Sequence, residues 1–178
     1  MDLGFEGKVA LITGSSRGLG LASARALAAE GCRVCICARG EAELQEAARG
    51  LRELTGRPDD VLAVPADVST PAGIEAVFRS MLSAFQGIDV LVNSLGLARG
   101  ADLEATTDAE WQEAFDYTLF PAIRATRLAV PEMRRRGGGA VIMIASIYGR
   151  ESGGRMTYNA VKAAEISLAK SLAQQLAG

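Results

Sequence analysis

The chain contains no histidine. That single absence excludes Ser-His-Asp and Cys-His catalysis, histidine-based zinc sites and imidazole pH switches. Proton transfer near neutral pH then has to come from tyrosine, lysine, cysteine or a carboxylate. Cysteine is also scarce, 3 in 178 residues, and clustered. Cys32-Arg-Val-Cys35 has C-x-x-C spacing, but a redox or metal site needs a turn between the sulfurs or a further ligand, and the sequence offers neither. Cys35 and Cys37 read instead as small apolar residues sharing one face of a buried strand. Free thiols of this kind, with no secretion signal, fit a reducing cytoplasm. An excess of charge is missing too: 19 basic residues against 21 acidic ones leave −2, so no polyanion-binding field is present and no nucleic-acid partner is expected. Arg134, Arg135 and Arg136 lack aromatic neighbours and are expected to face the negative end of a helix. No apolar run approaches the roughly 20 residues of a membrane span, and no metal site is expected.

What is present is a normal globular balance, 49% hydrophobic and 22% charged, in a length suited to one domain. Apolar runs alternate with longer amphipathic segments. Strands are expected at Lys8–Thr13, Arg33–Ala38, Val61–Pro65, Ile88–Asn93 and Ala140–Ala145. Helices are expected at Leu19–Glu30, Glu41–Leu54, from Pro71 to about Gln86, from Thr107 or Asp108 to about Arg136, and at Tyr158–Leu176. Near-continuous apolar strands belong to a parallel sheet covered on both faces, and the alternation implies right-handed βαβ crossovers. Ligands of such sheets bind beyond the carboxyl ends of the strands, where this sequence places its glycines, Asp67, Asn93 and Ser146.

Two motifs carry chemistry. Thr13-Gly14-Ser15-Ser16-Arg17-Gly18-Leu19-Gly20 joins the first strand to the first helix, and its glycines let backbone N–H groups and the helix N-terminus approach a phosphate. No Lys-Ser/Thr follows the last glycine, which excludes a phosphate-loop NTPase. Tyr158-Asn-Ala-Val-Lys162 puts a phenol and an ammonium one turn apart on the same helix face. A neighbouring ammonium favours a phenolate. Ser146 lies twelve residues before Tyr158, across a glycine-containing loop that can fold the two together.

Taken jointly, these features resemble the short-chain dehydrogenase/reductase family: Thr-Gly-x3-Gly-x-Gly after the first strand, Asp67-Val68 after the third, Asn93-Ser-Leu-Gly96 after the fourth, then Ser146, Tyr158 and Lys162. The resemblance spans essentially the whole chain. It implies a Rossmann-like, doubly wound parallel sheet of order 3-2-1-4-5 with helices on both faces. It also implies hydride transfer between NADP(H) and an alcohol or carbonyl substrate, for example a 3-oxoacyl compound or another ketone. Tyr158 would be the general acid in reduction and the general base in oxidation. Lys162 would favour the phenolate and bond the nicotinamide ribose, and Ser146 would hold the substrate oxygen. Gly14, Ser16, Arg17, Gly18, Leu19 and Gly20 would receive the pyrophosphate, Asp67 and Val68 the adenine, and Asn93 and Gly96 the adenosine side and the sheet floor.

An acid about twenty residues past the glycines usually binds the ribose 2′-hydroxyl of NAD. Ala38-Arg39 stands there instead, and a guanidinium suits the 2′-phosphate of NADP, with Arg17 joining the clamp. The family pattern is departed from at Thr118, where asparagine is common, and at Leu95, where a smaller residue is usual. The Ser146–Tyr158 gap is one residue short. Family members also continue through two further strands, a further helix and a substrate-covering loop. Residues 1–178 are therefore expected to form one dinucleotide-binding and catalytic domain, C-terminally incomplete, with its fifth strand an exposed edge. A non-catalytic dinucleotide-binding module is the alternative. Small residues at helical spacing, Ala114, Thr118, Ala122 and Ala125 on the long helix and Ala160, Ala163, Ala164 and Ser167 on the last, mark either core packing or the helices 108–136 and 158–176 through which the family forms homodimers and homotetramers. Trp111 and Phe115 are expected in the core.

Overall fold

The five apolar runs become five parallel strands in the computed structural model, which describes residues 3–177. They are β1 (Val9–Thr13), β2 (Arg33–Ala38), β3 (Val61–Pro65), β4 (Val90–Asn93) and β5 (Ala140–Met143). Between them run α1 (Gly18–Ala29), α2 (Glu41–Thr55), α3 (Pro71–Phe85) and α4 (Asp108–Arg135), and α5 (Met156–Leu176) follows β5. The sheet order is β3-β2-β1-β4-β5. Residues 1, 2 and 178 of the expected 1–178 domain lie outside the described residues.

Alternation along the strands divides the core. Val9 and Leu11 of β1 join Cys35, Cys37 and Leu91 under Ile74, Val77, Phe78 and Met81 of α3 and Ala125 and Ala129 of α4. Ala10 and Ile12 point the other way, with Val34, Ile36 and Val92, against Ala24 and Ala28 of α1 and Leu44, Ala48 and Leu51 of α2. All three cysteines are free and buried, with Cys32 in the second cluster. Burial pushes the Cys37 thiol up to about 12 and the Cys35 thiol well above its ordinary value, as inert core residues require.

Several details differ from the expectation. β5 stops at Met143 because Ala145 N–H turns back to the Met143 carbonyl, freeing Ser146 to open a single 3-10 turn, Ile147–Gly149. α5 begins two residues early, so Tyr158 lies inside its first turn. α4 keeps to the span expected for it and runs unbroken through Pro121 and Pro131; each proline removes a helical N–H donor, a cost met by burying Pro121 with the core face of the helix. A capping box starts α4: Thr107 Oγ1 accepts from Glu110 N–H, and Glu110 Oε2 accepts from Thr107 N–H at 2.9 Å.

Arg136 does more than face a helix dipole. It reaches Asp89 with both Nε (3.1 Å) and Nη2 (2.9 Å), while Asp89 Oδ2 also accepts from Val9 N–H at 2.8 Å. That cluster fastens the end of α4 to the entrances of β1 and β4. The small residues Ala114, Thr118, Ala122 and Ala125 are buried within this chain, so on α4 the stripe is core packing, whereas Ala163 and Ser167 of α5 are exposed. Trp111 and Phe115 are half-buried and belong to neither core cluster, contrary to the core placement expected for them. β5 lies at the edge with Ala140 and Ile142 exposed. Among the described residues no helix is long and apolar enough to cross a membrane, and no cluster suited to a metal ion is found.

Candidate functional site

The chain leaves β1 for β2 and β3 on one side, then crosses to β4 and β5 on the other. Beyond the strand ends at that reversal lies a cleft of about 470 Å³. Seven of the expected residues line it: Gly14, Ser16, Arg17, Arg39, Asp67, Val68 and Gly96. Gly18, Leu19, Gly20, Asn93, Ser146, Tyr158 and Lys162 do not.

The turn after β1 is fixed from below. Ser15 Oγ donates to the Ile12 carbonyl at 2.6 Å and accepts from Cys37 N–H at 2.9 Å, locking the loop to β1 and β2. Gly14 has φ +62°, and a Cβ there would stand 2.8 Å from Leu95 and 3.1 Å from the Ser94 carbonyl. A Cβ on Gly20 would meet the Gly14 carbonyl at 2.4 Å, so Gly20 serves the approach of α1 to the loop, not the cleft wall. The first turn of α1 has neither a side-chain cap nor an acidic residue. Its N–H groups are left for an anion, and Arg17 adds a cation beside them.

At the far end of the cleft Arg39 Nη1 donates to Tyr117 Oη at 3.2 Å, and the guanidinium lies 5.1 Å from the Tyr117 ring centre. Tyr117 lines the cleft, as does the exposed carboxylate Glu43. Asp67 Oδ1 accepts from both the backbone N–H (3.0 Å) and the hydroxyl (2.6 Å) of Ser69, which holds the turn after β3. Asn93 is buried, and neither its Nδ2 nor its Oδ1 has a hydrogen-bond partner in the protein. Such an unpaired buried amide costs free energy, and it stands at the end of β4 next to Ser94 of the cleft wall.

Tyr158 and Lys162 come to the cleft through Gly96. A Cβ on Gly96 would lie 3.4 Å from Tyr158 Cε2, 3.5 Å from Lys162 Cε and 3.6 Å from Lys162 Nζ. Lys162 is buried, with Nζ 5.7 Å from the centre of the half-buried Tyr158 ring. Nζ donates to the carbonyls of Leu95 (3.1 Å) and Ile144 (2.9 Å) and to Glu165 Oε2 (2.6 Å). The start of α5 is tied to the loop after β4 by Thr157 Oγ1 donating to the Arg99 carbonyl at 2.7 Å and by Arg155 bonding the Gly100 carbonyl. Ser146 caps its 3-10 turn, Oγ accepting from Tyr148 N–H at 3.2 Å. That turn lies directly on α5 because Gly149 has no side chain: a Cβ there would be 2.8 Å from the Lys162 carbonyl carbon. Thr118, in the position of the common asparagine, is buried and accepts from Leu97 N–H at 3.1 Å, bracing the loop that carries Gly96.

Three side chains went unnoticed in the sequence: Tyr117, Glu43 and Glu165. Glu165 sits three residues past Lys162, a spacing found on any helical surface, and nothing in the periodicity says that it is buried.

The residues present fit a phosphorylated dinucleotide: an uncapped helix N-terminus, close-packed glycines and two arginines share one cleft, and Tyr158 and Lys162 stand next to Gly96 at its edge. Comparison with known proteins agrees. A family model described as short chain dehydrogenase matches residues 8–178. The 3-oxoacyl-[acyl-carrier-protein] reductase of Escherichia coli is 35% identical over 176 residues, covering 98% of this chain and 70% of that protein; the Staphylococcus aureus enzyme is 35% identical over 171 residues, covering 96% and 69%. Among solved structures, L-sorbose reductase from Gluconobacter frateurii, complexed with NADPH and L-sorbose, aligns with a TM-score of 0.94 at 43% identity, covering 99% of this chain and 66% of that one. A Sinorhizobium meliloti protein described as a putative short-chain alcohol dehydrogenase aligns with a TM-score of 0.90 at 28% identity, covering 97% of this chain and 68% of that one.

Proposed function

The chain belongs to the short chain dehydrogenase family, and on that premise we propose that it reduces a carbonyl compound with NADPH, or oxidises the corresponding alcohol with NADP. The observation that carries this is the position of Gly96, which lines the cleft and whose missing side chain faces both Tyr158 and Lys162, since a Cβ there would lie 3.4 Å from the first and 3.5 Å from the second. Gly96 would thus join the cofactor cleft to the groups expected to transfer the proton.

NADPH, when bound, supplies the hydride; this chain supplies placement and the proton. Gly14, Ser16, Arg17 and the start of α1 would hold the pyrophosphate, with Gly18, Leu19 and Gly20 shaping that first turn. Arg39 and Arg17 would take the 2′-phosphate, and Asp67 with Val68 the adenine. Asn93 would support the floor. Tyr158 Oη would give its proton to the developing alkoxide and Ser146 Oγ would orient the carbonyl oxygen, while the Lys162 ammonium favours the phenolate left behind. A ketone reductase of the 3-oxoacyl or ketose kind fits the relatives named above. A cytoplasmic location is part of the proposal, as is a homodimer or homotetramer through α4 and α5, where exposed Ala163 and Ser167 would allow close approach.

The test is loss of NADPH absorbance with a panel of 3-oxoacyl thioesters, ketoses and simple ketones. Turnover of at least one is expected. NADPH binding without turnover of any would favour a non-catalytic dinucleotide-binding module instead.

A further inference from the structure

An ammonium has three N–H bonds to give, and Lys162 spends all three on Leu95 O, Ile144 O and Glu165 Oε2, so the ribose bond implied by the family resemblance would require a backbone carbonyl to give up its share. The first two acceptors are backbone carbonyls of the loop after β4 and the residue after β5, so they fix where the nitrogen sits. The third is a carboxylate, and it is as deeply buried as its partner: the two side chains are 3% and 1% exposed. A buried carboxylate is an expensive acceptor compared with an amide, and burial indeed pushes the Glu165 carboxyl above its ordinary range while Lys162 pulls it back. What a carboxylate adds over a neutral acceptor is a negative charge, held 2.6 Å from the ammonium that faces Tyr158.

The surroundings leave that charge to Lys162. β5 and the 94–97 loop carry no titratable side chain, and the 3-10 turn carries only Tyr148. On α4, Glu113 is paired with Arg99, Tyr117 with Arg39 and Glu132 with Arg135, while Gln112 bonds Asp116 and Arg124 bonds the Ser69 carbonyl. Lys162 is the charge that acts on Glu165.

Building on the hydride-transfer function above, we propose that Glu165 is a positioning residue that sets both the place and the effective charge of Lys162, and through it how readily Tyr158 ionises. Tyr158, Lys162 and Glu165 thus form a series on one helix in which Glu165 acts through Lys162. Opposite charges on Lys162 and Glu165 largely cancel at the phenol; without Glu165 the bare ammonium would draw out the phenolate sooner.

The test titrates the ultraviolet phenolate band of Tyr158 in the full chain, with and without NADPH, each trace corrected by the matching Tyr158→Phe protein. Glu165→Gln keeps the volume and an acceptor but removes the charge. The phenolate is expected about one pH unit lower than in the wild type, roughly a tenfold change in acid dissociation, and Glu165→Asp is expected to return it toward the wild-type value. An unchanged midpoint in Glu165→Gln would overturn the proposal. Should Glu165→Gln fail to fold, the unmodified chain still decides. The Lys162 Nζ protons are expected to exchange slowly in NMR, unlike those of Lys8 and Lys170, and to keep a hydrogen bond to Glu165 when NADPH binds; fast exchange would overturn it. Neither readout requires turnover, so a chain that reduces no carbonyl compound refutes the catalytic function while Glu165 is still judged separately.

Discussion

Replacing Arg39 with aspartate should turn the cofactor preference of this chain. The guanidinium stands at the carboxyl end of β2, exposed in the cleft wall and aligned by Tyr117 through a 3.2 Å hydrogen bond and a ring 5.1 Å away. A side chain held in this way loses little freedom on meeting a phosphate. Hydrogen bonds to a charged group contribute about 1.5–3 kcal/mol each, and solvent at this open position argues for the low end, about 2 kcal/mol for the contact. A carboxylate in its place adds repulsion of about 1 kcal/mol against a 2′-phosphate across water-rich space. It would also accept a hydrogen bond from the 2′-hydroxyl of NAD, gaining about 1 kcal/mol. Together these terms come to about 4 kcal/mol, and since about 1.4 kcal/mol is tenfold, kcat/KM for NADPH relative to NADH should fall by roughly two to three orders of magnitude. Steady-state kinetics with both cofactors, or their Kd values by fluorescence quenching, measure it. A ratio altered by less than about threefold, well under 1 kcal/mol, would refute the clamp and shift attention to Arg17.

Two further substitutions probe the frame. Gly149→Ala puts a methyl 2.8 Å from the Lys162 carbonyl carbon and must lift the turn bearing Ser146 off α5; activity should drop by about tenfold or more with the NADPH Kd nearly unchanged, whereas full activity would mean that Ser146 is positioned by something else. Burial pushes the Asp89 carboxyl up, but the Arg136 and Val9 hydrogen bonds outweigh it and hold the group below the ordinary carboxylate range. A depressed value means that the folded chain binds fewer protons, so this stabilisation is present above the unfolded value of about 3.9 and fades as the pH falls through the folded one. Asp89→Asn should therefore cost about 2 kcal/mol near neutral pH by urea unfolding, and a gap equally wide at about pH 3 would contradict the ion pair.

The sheet was legible because its evidence is local. Each apolar run had a glycine or proline near at least one end, and the spacing between runs left room for one helix apiece, so strand order followed from the resemblance that the motifs supported. The cleft residues Gly14, Arg17, Arg39 and Asp67 were legible for the same reason, since they fall directly after strands. What escaped depends on tertiary burial. Glu165 looks like any helical glutamate until Leu95 and Ile144 close over Lys162. Tyr117 enters the cleft only because the fold brings α4 within hydrogen-bond reach of Arg39 at the end of β2. The alanine stripe of α4 carried two meanings at one periodicity, and only packing against the sheet assigned it to the core. The long helix was legible across Pro121 and Pro131, and a 28-residue helix with a buried face carries them.

The central claim is that Tyr158 delivers the proton in an NADPH-dependent carbonyl reduction performed by this chain. It is tested most directly by Tyr158→Phe, which removes one oxygen and leaves the ring that faces Gly96. NADPH oxidation should fall by about 10²–10⁴-fold, the usual weight of a general acid, while NADPH still binds with a Kd within about twofold of the wild type, under half a kcal/mol. Equal rates in Tyr158→Phe and the wild type would contradict it.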